Sequence, residues 1–497
     1  MRSIFVTSLL ILFILDLVAQ VPQIFLSPVM DEGTVVGNSV RQNDSYYFAL
    51  RIEEVQENRR GFIDTRSKAD LSLVSSVPIN VPLKNADSFS IEEIAVYGEQ
   101  VLLFYSFFSK GDAKRTLAVA DLDAITGDIG APRVIHSEPG KRDYRTGEYH
   151  IEHHKENGST TIVIMRPSEG WVAAEIGFYS PEFEVINLDI DLNVIHEGRG
   201  TLSDEPKNSV NRIFMSLRGD VYLTFLGSDK IVSYDHSTSS SSIAEVPELS
   251  KTDGQIYEHR NYSHFTEAPN GNVYYFKHMC LKKMKDIQNL AGIQVISFDP
   301  SNGAYVGAQF FPVVTRDPYT ELDKNNKHPA ALYHFEYPYH WWNDRNEVVF
   351  GMVHERKENI TTYVEHSVIV PFDPQSGFGT AHFFAQPRTL SMTQTEVKNV
   401  VFMPAGNEVY LVYMDYLSNA GPGIPKRLMP KEIDAIGLVP MIVHFDGNSF
   451  GAREPALENS SKPPYHLDSW IIDRDAAEAV FLLSNKEELR MMKVTLP

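Results

Sequence analysis

Short stretches in which apolar and polar residues alternate recur along most of the chain, and they predict half-buried β-strands. Val295 to Phe298 is one such stretch, and Ala304 to Val306 begins the next. Between them, the sequence from Asp299 to Gly303 (Asp-Pro-Ser-Asn-Gly) predicts a tight turn. The Asp carboxylate accepts the amide hydrogen two residues on, and Gly adopts the positive φ that closes the turn. The two strands are therefore expected to form a hairpin.

The same turn chemistry returns elsewhere, each time after an apolar strand. Clear copies run from Asp123 to Gly127 and from Asp373 to Gly377. Weaker copies are found at Asp64, Ser180, Asp235 and Asp446. A strand–turn–strand unit repeated at intervals of roughly 50 to 75 residues predicts a closed array of small sheets and not one layered core. The pattern predicts an all-β fold of about eight four-stranded units, with seven as the alternative.

The two ends of the chain are expected to share one sheet. The last unit has only three predicted strands, at residues 470–472, 480–483 and 491–494, while the strand predicted at residues 23–29 has no unit of its own. Pairing the first strand with the last unit would complete it and cover an exposed sheet edge.

These turns resemble those of the β-propeller superfamily, in particular exported propellers of Gram-negative bacteria. The resemblance rests on the Asp-x-x-(Thr/Ser/Asn)-Gly turns and on (Asn/Arg/Ala)-Gly-(Asn/Asp) turns ahead of Val- and Tyr-rich strands, and it spans nearly all of the chain after residue 20. The Trp-Asp dipeptide of WD repeats and the Ser-x-Asp-x-Gly-x-Thr-Trp box of sialidases are absent. Propellers include enzymes, receptors and scaffolds, so the resemblance implies a fold and not an activity.

The composition and net charge indicate which classes of partner to expect. Of 497 residues 43% are apolar and 11% aromatic, which is ample for a large core, and the formal net charge is −20. Such a charge repels the phosphates of nucleic acids and anionic membranes, so neither is expected as the main partner. Cys280 is the only cysteine, and no intramolecular disulfide is possible.

Residues 1–20 are expected to be a secretory signal peptide, since Met1-Arg2 is followed by an apolar run over 4–18 and the small residue Ala19. The apolar run is shorter than the ~20 residues that span a bilayer. We therefore expect one propeller domain over residues 21–497, without an integral membrane segment in the mature chain. The lack of disulfides favours a periplasmic or surface location over a eukaryotic secretory route. Five N-glycosylation sequons favour the eukaryotic secretory route, but more weakly. They begin at Asn43, Asn157, Asn261, Asn359 and Asn459.

Extra length is expected at one edge of each sheet. In an up-and-down blade, the second-to-third connection and the link to the next blade leave from the same edge. The long connections predicted there are residues 137–147, 191–209, 247–259, 278–291, 312–332, 385–395, 416–437 and 454–467. Long loops on a rigid scaffold commonly carry binding residues, so one functional face is predicted. The alternative is that they are insertions without function.

Two of these connections hold Arg, Asp and Tyr together. The first contains Arg142, Asp143, Tyr144 and Arg145, and the second contains Arg316, Asp317 and Tyr319. Guanidinium groups can bind carboxylates or sugar hydroxyls, and a Tyr ring can stack beside the bound group. The alternative interpretation is solvated loop charge.

His340 and Trp341 complete the candidate ligand-binding set. They lie in an aromatic run that ends with Trp342, and alternation along a strand sends the two Trp side chains to opposite faces. One Trp is expected to pack between blades, while its neighbour faces the channel or the surface, where aromatic rings stack on sugars.

No cofactor and no metal site is predicted. His153 or His154, His264 and His340 fall late in first strands, where imidazoles can bind a transition metal, transfer protons or simply hydrogen-bond in a wet channel. The Asp189-x-Asp191-x-Asn193 segment lacks the Gly and Glu of a helix-loop-helix calcium site. Phosphate-loop, His-Glu-x-x-His, Gly-x-Ser-x-Gly and dinucleotide motifs are absent.

The sequence therefore favours an exported propeller that binds a carbohydrate, peptide or envelope partner through its long-loop face, without catalysis. The alternative is a polysaccharide-directed hydrolase or lyase of the same fold, with acid and base groups drawn from Asp143, Asp317 and the channel histidines.

Overall fold

The structure is a computed structural model. It describes residues 22–26, 34–55, 58–79, 86–109, 111–139, 148–167, 179–202, 210–225, 228–247, 249, 257–281, 289–314, 332–333, 335–358, 361–391, 399–423, 425–431, 433, 437–457, 466–473, 477–484 and 489–496. The predicted signal peptide lies outside these ranges and stays a prediction, as does a single domain over residues 21–497.

The described strands form eight antiparallel sheets of four or five strands, the blades of a β-propeller. The all-β fold class is confirmed, and the count is eight blades. The chain divides into two compact units. Unit 1 comprises Met1–Val77, Glu336–Phe372 and Gly379–Pro497, and unit 2 comprises Pro78–Phe335 and Asp373–Phe378.

Unit 1 holds blades one, seven and eight and most of blade six. The strands of blade one are β2 (Thr34–Gln42), β3 (Tyr46–Val55), β4 (Asn58–Ser67) and β5 (Leu73–Pro78). Those of blade six are β24 (Phe335–Trp342), β25 (Val348–Glu358), β26 (Thr361–Asp373), the short β27 (Gly377–Phe378) and β28 (His382–Ser391). Those of blade seven are β29 (Val400–Ala405), β30 (Glu408–Asp415), β31 (Val439–Phe445) and β32 (Phe450–Pro455). Those of blade eight are β33 (His466–Asp473), β34 (Glu478–Ser484), β35 (Leu489–Thr495) and the N-terminal β1 (Gln23–Leu26).

Unit 2 holds blades two to five. Blades two and three contain β6 (Ala86–Tyr97), β7 (Gln100–Ser109), β8 (Lys114–Asp121), β9 (Arg133–Pro139), β10 (Glu148–His154), β11 (Ser159–Pro167), β12 (Tyr179–Leu188) and β13 (Val194–Thr201). Blades four and five contain β14 (Val210–Met215), β15 (Val221–Phe225), β16 (Lys230–Asp235), β17 (Ser240–Glu245), β18 (Tyr257–Glu267), β19 (Val273–Leu281), β21 (Gly292–Phe298) and β22 (Tyr305–Pro312). A two-stranded ribbon pairs β20 (Asn289–Leu290) with β23 (Leu332–Tyr333).

The N-terminal strand completes the last blade, as predicted. Strand β1 pairs antiparallel with β35, with Gln23 opposite Thr495 and Ile24 opposite Val494. Ile24 also packs against the core cluster of unit 1. The first and last strands of the chain are thereby held in one sheet.

Both faces of each blade supply core side chains. In unit 2, one cluster joins Phe104 of blade two to Ile164 of blade three. The next joins Phe183 of blade three to Leu223 of blade four, and a third joins Tyr222 of blade four to Phe265 of blade five. The hydrophobic core of unit 2 is therefore a series of layers between its consecutive blades.

The three predicted Asp–Gly turns are confirmed. The Asp299 carboxylate accepts the Ser301 amide at 2.7 Å, and Gly303 has φ +66°. The Asp123 carboxylate accepts the Ile125 amide at 2.9 Å, and the Asp373 carboxylate accepts the Gln375 amide at 2.8 Å. Each turn ends on a glycine with positive φ.

Several sheet-edge strands differ from the sequence prediction. Residues 34–42 form β2 and residues 240–245 form β17, where no strand was predicted. Residues 183–186 belong to the third strand of blade three, not the fourth, and the fourth strand, β13, occupies residues predicted as a long connection. The connections predicted at 278–291 and 385–395 also contain strand residues. Strands β13 and β17 are mostly exposed, so they lack the apolar alternation on which the prediction depended.

The longest connections lie at one end of the blades, although that end also has connections as short as residues 56–57, and the other end includes the longer connection 122–132. We call the end with the first-to-second and third-to-fourth connections the turn end, and the other the long end. Turn-end connections include residues 98–99 and 406–407, whereas long-end connections include 313–334 and 416–438. The long connection predicted at residues 416–437 is confirmed.

Replacing Ile24 by Asp is expected to lower the free energy of unfolding by roughly 2–4 kcal/mol, because a charge replaces an apolar side chain that packs on the core. Urea unfolding followed by tryptophan fluorescence measures the change. Val74, which is 44% exposed on β5, gives the matched control, and Val74→Asp should stay within about 0.5 kcal/mol of wild type. An Ile24→Asp variant as stable as wild type would show that β1 does not help to hold the last blade.

Candidate functional site

Most of the predicted ligand-binding residues lie outside the described part of the chain. These are Arg142, Asp143, Tyr144, Arg145, Arg316, Asp317 and Tyr319. Their role stays a prediction.

Trp341 is a packing residue. It is 3% exposed on β24, and its ring centroid lies 6.1 Å from that of Phe402 on β29. Trp341 therefore packs between blades six and seven. The sequence predicted this position for one of the two adjacent Trp residues. His340 beside it is half-buried.

Three of the predicted channel histidines contact a neighbouring strand, and His154 does so through the Thr161 hydroxyl at 3.4 Å. His154 is 5% exposed, and burial lowers its pKa. His153 packs edge-on against Tyr97 with ring centroids 3.9 Å apart, and His264 lies 5.6 Å from His278. Within the described ranges, none of these histidines belongs to a group of three potential metal ligands.

One such group does occur, at the turn end of blade four. We call Arg218, Asp220, Asp235 and His236 the blade-four cluster. Asp220 closes the turn that follows β14, where Gly219 has φ +89°, and Asp235 opens the turn that follows β16 by accepting the Ser237 amide at 2.9 Å. Two turns of one blade thus bring the four side chains together.

In the cluster, Asp220 orients His236. Asp220 is 2% exposed, and its Oδ1 accepts hydrogen bonds from Nδ1 of His236 at 2.9 Å and from the His236 amide at 3.1 Å. The His236 side chain is 28% exposed. An imidazole held through Nδ1 by a buried carboxylate is the arrangement of a general base.

Arg218 offsets part of the charge of the two carboxylates. Its Nε lies 3.3 Å from Asp220, and a terminal nitrogen lies 3.6 Å from Asp235. Burial opposes ionisation of Asp235, but hydrogen bonds from Ser237 and Thr238 and the charge of Arg218 hold its pKa below the usual value. Ligand atoms of Asp220, Asp235 and His236 lie within 4.8 Å of one another. A metal ion there would compete with Arg218 for the two carboxylates.

A second imidazole borders the cluster. The ring of His196 on β13 lies 5.9 Å from that of His236, and its Nε2 is 2.7 Å from the Tyr234 hydroxyl. A Cβ at Gly198 would lie 2.0 Å from this hydroxyl, so glycine leaves the room for the contact. Asp235 was recognised as a turn residue from sequence, but its meeting with Asp220 was missed because the two come from separate turns.

The other candidate is the connection between β30 and β31 in unit 1, residues 416–438, which we call the insertion. It begins with a 3-10 turn, Leu417–Asn419. The buried Asn419 side chain donates to the Lys426 carbonyl at 2.8 Å and accepts the Lys426 amide at 2.8 Å. These bonds hold residues 416–419 beside residues 426–429.

The insertion is hydrogen-bonded to the outer strands of two blades. The Gly421 amide donates to the Arg453 carbonyl of β32 at 2.8 Å. The Leu428 carbonyl accepts the Thr389 amide of β28 at 2.8 Å, and its amide donates to the Pro387 carbonyl at 3.1 Å. The insertion therefore covers two sheet edges and is fixed by them.

Buried charged residues lie beneath the insertion. Arg388 is 1% exposed, donates to Gln386 at 2.9 Å and lies 5.0 Å from the Tyr413 ring centroid. Arg453 is 7% exposed and donates to the Gly423 carbonyl at 2.6 Å. Burial raises the pKa of Asp415, against the opposing charge of Arg388, and burial lowers the pKa of Arg388 itself.

The outer surface of the insertion combines apolar and basic side chains. Leu417 is 41% exposed and Met429 is 42% exposed. Lys426 and Lys431 are exposed, and Arg427 pairs with Glu365 of β26 at 2.6 Å. The sequence predicted the length of this connection but not which of its side chains are exposed.

Comparisons with known proteins identify no family. No protein-family model matches the chain, and no curated protein matches it. Solved structures do match. YCF48 bound to a D1 peptide is 9% identical, with 96% of this chain and 97% of that chain covered and a TM-score of 0.35. The polysaccharide lyase Uly1 is 10% identical, with 96% and 99% covered and a TM-score of 0.39. The β-propeller domain of the Trilobed protease from Pyrococcus furiosus is 11% identical, with 83% and 94% covered and a TM-score of 0.34. These TM-scores are too low to support an argument about activity.

Exchanging Arg388 for Met should lower the free energy of unfolding by about 3–5 kcal/mol, because the buried Asp415 carboxylate loses its opposing charge. The double variant with Asp415→Asn should be less destabilised than the sum of the single variants. Glu408, which is 49% exposed and 2.8 Å from the 39% exposed His444, gives the control; Glu408→Gln should cost about 0–1 kcal/mol. Additive effects in urea unfolding would contradict an interaction between Arg388 and Asp415.

Stability should also depend on His196. Burial lowers the pKa of His196, and the neighbouring His236 adds to the effect. Between the lowered folded pKa and the ordinary unfolded value, the unfolded chain binds more protons, so stability falls as the pH falls through that window. His196→Gln removes this titration and should reduce the loss of Tm between about pH 7.5 and pH 5.5. Some loss persists because His154, whose pKa is also lowered, remains. A variant with the full wild-type loss of Tm would contradict this assignment.

Proposed function

We propose that the chain is an exported binding module that recognises a carbohydrate, peptide or envelope partner through long-end connections of its blades, without catalysing a reaction. The observation that carries the proposal is the insertion, which is fixed to the outer strands of blades six and seven. A loop already held in place loses little conformational entropy on binding, so its contacts contribute to affinity. Binding surfaces on rigid scaffolds commonly have this form.

The predicted Arg-Asp-Tyr groups belong to the same proposal. The segment that holds Arg142 links blades two and three, and the segment that holds Arg316 links blades five and six, so both are long-end connections. Each is proposed as a ligand contact in its own right, with the guanidinium groups binding carboxylates or hydroxyls.

Export by a signal peptide over residues 1–20, with a secreted or periplasmic location, is part of the proposal and rests on the sequence. Among the described residues, no helix combines the length and the apolar character needed to cross a bilayer.

The alternative is a polysaccharide-directed hydrolase or lyase. It is supported by the 2.9 Å contact between Asp220 and His236, which has the form of a general base and its orienting acid. The cluster lies at the turn end of blade four, away from the long connections of that blade, and Arg218 already pairs with both of its carboxylates. Binding without catalysis is therefore the first proposal.

Glycan and peptide arrays probed with the mature protein test the proposal, followed by titration of each hit against variants. Arg142→Ala, Arg316→Ala and Leu417→Asp alter long-end connections. Ile190→Asp alters an exposed side chain at the turn end of blade three and serves as the matched control. At least one long-end variant should weaken binding by about tenfold or more, a loss of about 1.4 kcal/mol, while the control binds like wild type. Binding lost only with Ile190→Asp would contradict the proposal. Turnover of a glycan hit that His236→Ala abolishes would support the enzyme alternative.

A further inference from the structure

The blade-four cluster brings together the donor atoms of a metal site. Asp220, Asp235 and His236 each offer one ligand atom, and these atoms lie within 4.8 Å of one another, a grouping found once among the residues that the structure describes. Asp220 Oδ1 and His236 Nδ1 are 2.9 Å apart. Ligands bound at about 2.0–2.2 Å to a tetrahedral ion lie roughly 3.3 Å from one another. The spacing in the cluster is therefore close to that of a coordination shell.

Hydrogen bonds orient the Asp235 carboxylate. Its Oδ1 accepts the Ser237 amide at 2.9 Å and the Ser237 hydroxyl at 2.7 Å, and its Oδ2 accepts the Thr238 hydroxyl at 2.9 Å. An ionised carboxylate has about four acceptor positions, so these bonds leave room for an ion. Carboxylates that bind metals are commonly held by outer hydrogen bonds of this kind.

The turn that carries Asp220 is fixed as well. The Ser216 amide donates to the Asp220 carbonyl at 2.9 Å, and the Asp220 amide donates to the Ser216 hydroxyl at 3.1 Å. Between them Gly219 has φ +89°, and a Cβ there would lie 2.3 Å from the side-chain nitrogen of Asn187 in blade three. Both carboxylates are thus placed by the fold before a ligand arrives, which favours tight binding.

The charge of the cluster suits a divalent cation. Asp220 is 2% exposed and Asp235 is 5% exposed, and Arg218 offsets one of their two negative charges. A divalent ion would offset both, and buried charge without compensation is costly. The Arg218 side chain is 33% exposed and also donates to the Pro300 carbonyl of blade five. It can therefore release the carboxylates to an ion and keep a partner.

The donor set selects the kind of ion. Calcium and magnesium take oxygen ligands. Zinc takes imidazole nitrogen together with carboxylate oxygen, and a zinc site with three protein ligands keeps a fourth position for water. One imidazole and two carboxylates therefore fit zinc better than calcium or magnesium.

We propose that the blade-four cluster binds a zinc ion through Asp220, Asp235 and His236, with Arg218 displaced from the two carboxylates. The site lies at the turn end of blade four, so the inference goes beyond the binding function proposed for the long-end connections and does not depend on it.

Isothermal titration calorimetry tests the inference, with zinc chloride added to the mature full chain after treatment with EDTA and desalting. The wild-type protein should bind one zinc ion at this site, and should bind calcium and magnesium at least tenfold more weakly. No zinc binding by the wild-type protein, or calcium binding as tight as zinc binding, would overturn the inference.

Variants assign the site. His236→Gln and Asp235→Asn should each weaken zinc binding by about tenfold or more, and Arg218→Gln should strengthen it by about tenfold, because the competing guanidinium is gone. Tighter binding cannot come from a loss of fold, and circular dichroism checks every variant. His444→Gln is the matched control, since this exposed histidine lies 2.8 Å from the Glu408 carboxylate without a third ligand in the described part of the chain.

The control should bind zinc like the wild-type protein. Binding that His236→Gln and Asp235→Asn leave unchanged would place the ion elsewhere and overturn the inference. Zinc binding by Arg218→Gln alone would also overturn it, because Arg218 would then take the place of the ion in the natural protein.

Discussion

The structure depends on one constraint, that the two middle strands of a blade are buried on both faces. In β7 and β15 nearly every side chain is buried, so neither face of the sheet can be left to solvent. Consecutive blades of unit 2 meet this requirement by packing face to face, which produces the layered cores that join Phe104 to Ile164 and Phe183 to Leu223. Burial of this apolar surface is the main favourable term in folding. The last blade has the same need for a fourth strand, and β1 supplies it by pairing with β35.

This constraint explains which parts of the fold the sequence predicts. Middle strands are strongly apolar and are flanked by Asp–Gly turns, whose geometry is local, so both could be located from residues alone. Outer strands such as β17, with the sequence Ser-Ser-Ser-Ile-Ala-Glu, are held by cross-strand hydrogen bonds and leave no apolar pattern to find. Strand β2 also lacks a regular apolar alternation, because a register shift separates Val35 from Val40. Pairing with a neighbour, not local preference, determines these segments.

In the candidate sites, too, local features could be predicted from the sequence and long-range contacts could not. The length of the insertion could be predicted, because no alternating strand pattern occurs between residues 416 and 437. Its fixed form could not, since Leu428 bonds to Pro387 and Thr389, and Gly421 bonds to Arg453, across long stretches of sequence. Asp220 and His236 likewise meet only because two turns of blade four are adjacent. Placing Arg388 and Asp415 beneath the insertion requires removing both charges from water, a cost that a core of apolar residues avoids. We interpret these buried charges as a means of fixing the shape of the insertion surface.

The insertion is a fixed surface and not an open loop. Hydrogen exchange of the free protein, resolved to single amides over residues 416–438, tests it most directly. If the insertion is fixed, the amides of Gly421 and Leu428 exchange as slowly as those of the outer strands β28 and β32, because both are bonded to strand carbonyls. Exchange of these two amides at the rate of an unstructured peptide, while the blade strands stay protected, would contradict the claim.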